Sequence, residues 1–212
     1  MPNSSPEETP DRADARRPDT PAPVVRVPTG LVILVGPPAS GKTSFVRALI
    51  ARGQIDPEAV VSSDEIRAEP PAAPAADAQT DPDAADARIF GERDRRIAAR
   101  LATGRGAIAE STNVTPQARA RLIAIARRFG APVTALRFAP DLADLLRQHA
   151  ERGRPDLTAE DVRAYAAVMA REAGADRLRA EGADAVHDVP GRRQAVTPAE
   201  AAARFSFLPH PS

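Results

Sequence analysis

Leu31-Val32-Ile33-Leu34-Val35, running straight into Gly36-Pro37-Pro38-Ala39-Ser40-Gly41-Lys42-Thr43, is the stretch that decides the fold of this chain. The first five residues form a continuous, mostly branched apolar run of strand length, which suits a parallel strand buried on both faces. From Thr43 to Arg52 the pattern becomes helical, with Phe45, Val46, Leu49 and Ile50 on one side and Gly53 as the stop. Between strand and helix stand a glycine, four residues and then Gly-Lys-Thr. This is the P-loop spacing, in which loop amides and a helix N-terminus face phosphate groups. Lys42 is the only lysine among the 29 Lys and Arg side chains. A compact ammonium fits a cramped backbone nest where a planar guanidinium does not. The pattern therefore predicts that Gly36, Ser40, Gly41, Lys42, Thr43 and Ser44 bind ATP, with Lys42 on the β- and γ-phosphates and the Thr43 hydroxyl on Mg²⁺.

Working outward, 212 residues suggest one domain with a tail. Residues 1–28 are rich in Pro, Asp, Arg, Ser and Thr and read as a disordered tail, leaving 29–212 as the folded domain. The formal net charge is zero, so no overall pull toward nucleic acid or anionic membrane is expected. There is no cysteine, hence no disulfide framework and no thiolate metal site. No apolar run is long enough to span a membrane and no hydrophobic signal segment opens the chain, so a cytoplasmic protein is expected.

The remaining pattern alternates strands and helices. Val60-Val61-Ser62-Ser63-Asp64 reads as the end of a second buried strand, and the Pro- and Ala-rich stretch 68–83 as a long mobile loop. A helical period covers 84–103, and Ala107-Ile108-Ala109-Glu110 is a short third strand. Thr115 caps a helix with Pro116 at its first position. Residues 133–138 make a fourth strand. Asp141 opens a helix to about Glu151, and Thr158-Ala159-Glu160-Asp161 opens the next. A fifth strand falls within 183–189, followed by a small helix over 198–204. This order predicts an α/β chain: a three-layer α/β/α sandwich with a mainly parallel five-stranded sheet and a helical lid.

In such a sheet, ligands sit at the carboxyl ends of the strands. The second strand brings Asp64, a carboxylate placed to take the proton of an attacking hydroxyl, although Ser62, Ser63 or Asp64 could instead cap a short helix. Arg67, one helical turn on, would share its face and hold an anionic group of the acceptor, or be an exposed arginine without a task. The third strand brings Glu110, which could act on Mg²⁺ or be an ordinary strand-end charge. Asn113 beyond it could bond the acceptor or shape the turn. Arg147, Arg152 and Arg154 flank a link between two helices, where they would form either a lid over the phosphates or a solvated face. His149, His187 and His210 have no ligand spacing.

Gly36 to Phe45, together with Val61-Ser62-Ser63-Asp64-Glu65-Ile66-Arg67, resembles the polynucleotide 5′-hydroxyl kinase family. That group of AAA-type kinases includes the kinase module of bacterial RNA end-healing proteins. Its Ser-Asp-x-x-Arg segment implies Asp64 as the general base and Arg67 as the ligand of the acceptor's phosphate. Glu110-Ser111-Thr112-Asn113 is similar to the family's Asp-Ala-Thr-Asn, Arg119 matches an arginine of the following helix, and Arg152 best matches a lid arginine. The resemblance covers about 31–189. It implies an ATP-dependent kinase acting on a hydroxyl, preferably the 5′ end of a polynucleotide, with Lys42, Asp64 and Arg152 catalytic and Arg67, Asn113 and Arg119 on the acceptor. Two other readings stay open. One is a small-molecule kinase acting on an antibiotic, sugar or nucleoside; the other is a regulatory ATPase without an acceptor.

Overall fold

A computed structural model of the chain describes residues 23–70, 82–153 and 157–208. Arg154, His210, residues 1–22 of the expected tail and most of the expected mobile loop lie outside the described residues.

The P-loop strand is β2 (Leu31–Val35), and all five of its residues are buried. It is central in a five-stranded sheet with β3 (Val60–Ser62), β4 (Ala107–Glu110), β5 (Val133–Arg137) and β6 (Ala185–Asp188), in the spatial order β3-β4-β2-β5-β6. All four ladders are parallel. The connections are α1 (Lys42–Ala51), α2 (Ser63–Ala68), α3 (Pro82–Ala102), α4 (Pro116–Arg128), α5 (Leu142–Arg152), α6 (Ala159–Glu172) and α7 (Ala175–Glu181). Beyond β6 come α8 (Pro198–Ala202) and β7 (Phe205–Phe207).

Strand alternation sorts the core into two layers. Leu31, Ile33 and Val35 meet Ile89, Ile97, Leu122, Met169 and Leu178 of the α3, α4, α6 and α7 side. Val32 and Leu34 meet Phe45, Val46 and Leu49 of α1 and Ala201 and Ala202 of α8. The result is the expected three-layer α/β sandwich. Local signals fix several boundaries: Thr115 accepts from the Ala118 amide (3.3 Å) ahead of Pro116, and Thr158 with Asp161 forms a capping box at α6. Helices α5 and α6 pack on each other as a hairpin that carries Arg152 at the end of α5 and Tyr165 on α6.

Three features depart from the sequence reading. Val25–Val27, inside the expected tail, forms β1 and pairs in parallel with β7, Val25 opposite Phe205. Helix α7 stands where no element was expected. The second strand ends at Ser62, whose hydroxyl accepts from the Glu65 amide (3.4 Å), so Ser63 and Asp64 already belong to the first turn of α2.

Candidate active site

The loop between β2 and α1 is held tightly at its start. A Cβ on Gly36 would lie 2.8 Å from Phe138 Cβ and 2.9 Å from the Phe138 carbonyl oxygen, so no side chain fits. The Gly36 amide donates to the Thr112 carbonyl (2.9 Å), which ties the loop to the turn after β4. Ala39 and Gly41 take positive φ, 62° and 94°, and Gly41 is the N-cap of α1. At Gly41 this conformation suits a residue without a Cβ.

Lys42 is buried at the first position of α1. Its Nζ donates to the carbonyls of Gly36 and Pro37, both at 2.8 Å, and to Ser40 Oγ at 3.3 Å. Burial lowers its pKa from 10.5 to about 7, against the opposing pull of Glu110 and Asp64. Thr43 Oγ1 donates to Glu110 Oε1 at 2.6 Å. Burial raises the Glu110 carboxyl pKa, while the Thr43 bond and the Lys42 charge work the other way. Strand β4 therefore delivers its carboxylate onto the P-loop threonine, which gives the strand-end charge of Glu110 a defined partner.

Asp64 lies in the first turn of α2. Its charge acts on both Lys42 and Glu110, and its side chain is well exposed. Arg67 lies one turn on, 3.6 Å from Asp64 and 2.8 Å from Asp86 of α3. Asp86 was not singled out from the sequence, because nothing in the local pattern marks which α3 carboxylate faces α2. Arg152 lines a cavity of about 330 Å³ with Ser40, Gly41, Ser44, Arg137 and Gln148, and its charge is felt at Lys42. The cavity runs from the P-loop to the segment after β6, including Val189 and Gln194. Arg147 pairs with Asp144 on its own helix.

Two expected acceptor ligands are committed to the interior instead. Asn113, at φ 47° and buried, donates through Nδ2 to the carbonyls of Leu34 (2.9 Å) and Ala109 (3.2 Å). It braces the strand ends beneath the P-loop. Arg119 is 1 % exposed and holds Glu181 through Nε and Nη2 at 2.6 and 2.7 Å. The same guanidinium donates to the carbonyls of Asn113 (3.0 Å) and Glu172 (2.7 Å). Four of its five N–H donors are thus spent on interior partners.

The Thr43 hydroxyl and Glu110 carboxylate are hard oxygen donors in contact, which fits a cation that prefers oxygen. Among the described residues no group of three or more His, Cys, Asp or Glu side chains forms a metal cage.

A family described as an AAA domain matches residues 31–174, from β2 through α6. The chain belongs to this AAA domain family. Among solved structures, a chain of the Pnkp1/Rnl/Hen1 RNA repair complex is similar to this AAA domain at TM-score 0.54 and 18% identity, over 72% of this chain and 46% of that one. The AAA domain thus spans less than half the length of that neighbour. A gluconokinase from Sinorhizobium meliloti 1021 is similar at TM-score 0.52 and 17% identity, over 82% and 88% of the two chains. At such identities the likeness is one of fold alone. No curated protein matches this chain by sequence.

Proposed function

We propose that this chain is an ATP-dependent phosphotransferase that moves the γ-phosphoryl group to an alcohol, with a polynucleotide 5′-hydroxyl as the preferred acceptor. The observation that carries the reading is the placement of Asp64, an exposed carboxylate whose charge is felt at both Lys42 and Glu110, with Arg67 beside it. Transfer to a hydroxyl calls for a carboxylate that can take the acceptor's proton, and Asp64 is of that type.

In this reading the P-loop amides and the start of α1 cradle the phosphates, and Lys42 exchanges the carbonyls of Gly36 and Pro37 for phosphate oxygens. Thr43 and Glu110 would hold Mg²⁺, which would supply charge neutralisation for the transferred group. The acceptor oxygen attacks the γ-phosphorus, its proton passes to Asp64, and the bond from the γ-phosphorus to the β–γ bridging oxygen breaks to release ADP. Arg67 holds an anionic group of the acceptor. Arg152 faces the phosphates from the α5–α6 hairpin. The cavity beside Ser40 and Ser44 has room for ribose and base. Cytoplasmic residence, where ATP is supplied, accompanies the reading. No helix among the described residues is long and apolar enough to cross a membrane.

The test is transfer from γ-labelled ATP to a 5′-hydroxyl oligonucleotide. Asp64→Ala should lower turnover roughly 10²- to 10⁴-fold with Mg·ATP affinity little changed. Equal transfer by Asp64→Ala and the parent chain would remove the general base. A second reading, a small-molecule kinase, is favoured by the zero net charge, since long polynucleotides are gripped through many phosphate contacts. Labelling of sugars, nucleosides or aminoglycosides in place of oligonucleotides would select it.

A further inference from the structure

We propose that the Ser63–Ser111 hydroxyl pair is a positioning clasp, which pins the first turn of α2 to the end of β4 and so sets where Asp64 stands relative to Glu110 and Lys42. The proposal rests on the kinase reading only for the task of Asp64. The clasp itself is a matter of geometry.

The backbone ladder between β3 and β4 ends at the pair Ser62–Glu110. One residue further, β3 turns into α2 and its amides leave the sheet. At that point Ser63 Oγ and Ser111 Oγ are in short hydrogen-bond contact, so side chains continue the pairing where backbone no longer can. Ser63 is 7 % exposed and Ser111 half-buried, so the bond is partly shielded from competing water. Each serine adjoins one of the two cleft carboxylates: Asp64 follows Ser63, and Glu110 precedes Ser111.

Helix α2 has only six residues and a long capping bond from Ser62, 3.4 Å, so little within it fixes its first turn. Glu110 is already anchored through Thr43 at 2.6 Å. Asp64 lies in the first turn that the clasp holds, so its backbone placement follows the clasp, while Arg67 at 3.6 Å acts on its side chain. In the motif this segment resembles, alanine stands at the place of Ser111 and aspartate at the place of Glu110. The hydroxyl and the longer carboxylate arm occur here at consecutive residues.

The experiment compares Ser111→Ala, Ser63→Ala and Ser111→Thr with the parent chain in three measurements. These are amide hydrogen exchange over 63–68, Mg·ATP affinity by calorimetry, and kcat and KM for labelling a 5′-hydroxyl oligonucleotide. Ser111→Ala leaves α2 itself unaltered and is the decisive variant. Both alanine variants should speed exchange over 63–68 and lower kcat, each roughly two- to tenfold, the range set by one net hydrogen bond. Mg·ATP affinity should hold, and Ser111→Thr should recover both readouts. Unchanged exchange in Ser111→Ala overturns the clasp. Faster exchange with unchanged kcat reduces the pair to a structural contact and overturns its positioning role. If the parent chain labels no oligonucleotide, the proposed acceptor fails, while exchange still decides whether the serines hold α2.

Discussion

Lys42 is a charge held ready in a place that disfavours it. With its pKa brought down to about 7 by burial, the ammonium is partly deprotonated in the free protein at neutral pH. A triphosphate favours the charged form, so the complex binds more protons than the free protein between about pH 7 and the ordinary lysine range. Linkage fixes the sign: affinity falls as pH rises through that window. Titrations of ATP at pH 8 in buffers of different ionisation enthalpy should register proton uptake, and the Lys42→Ala variant should lose it. Equal apparent heats in all buffers would contradict the prediction. The role of this residue was legible because the P-loop is a local pattern in which spacing and residue type together determine geometry. Asn113 and Arg119 show the limit of such reading. A motif match gives the residue type at a position, but whether the side chain turns outward or inward depends on partners such as Leu34 and Glu181, which lie 79 and 62 residues away.

At the scale of elements, Arg119 joins α4 to the turn after β4, to the carboxyl end of α6 and to α7. Arg119→Ala would take the forked donor from Glu181, leaving it Arg177 at 3.5 Å, and would strip a donor from two carbonyls. It should cost roughly 3–5 kcal/mol in chemical denaturation. Arg119→Lys should restore only part of that, since an ammonium cannot reproduce the forked contacts. A loss below about 1 kcal/mol in the alanine variant would mean that the network is not needed for stability. The same scale explains which elements could be read in advance. Helices α4 and α6 announce themselves through Thr115-Pro116 and Thr158 with Asp161, because capping is decided within four residues. Of the two readings of Ser62 to Asp64, strand end or helix cap, the structure takes the cap: Ser62 accepts from the Glu65 amide and passes the aspartate to the helix. Helix α7 carries a single buried residue, Leu178, too weak a period to stand out.

For the whole molecule, the least legible part is the small second sheet. Strands β1 and β7 have three residues each and come from opposite ends of the described chain, so no window of sequence contains both. Their pairing brings Phe205 against Phe45 of α1, ring centroids 5.4 Å apart and nearly perpendicular, while Phe138 meets the same ring from the sheet side at 5.4 Å. The P-loop helix is thus wedged from two directions. Phe205→Ala should lower stability by roughly 3–5 kcal/mol. It should also weaken ATP binding through the loosened α1, read by thermal unfolding with and without nucleotide. A destabilised variant with full ATP affinity would separate the wedge from the site.

The α5–α6 hairpin has a consequence for how this molecule can be watched. The chain has no tryptophan and a single tyrosine, Tyr165, which lies on α6 and is 37% exposed. Its tyrosine emission therefore originates from one ring, on the very arm that bears Arg152. If that arm shifts when nucleotide arrives, the unlabelled protein will signal the movement as a change in tyrosine intensity, with no dye and no engineered probe.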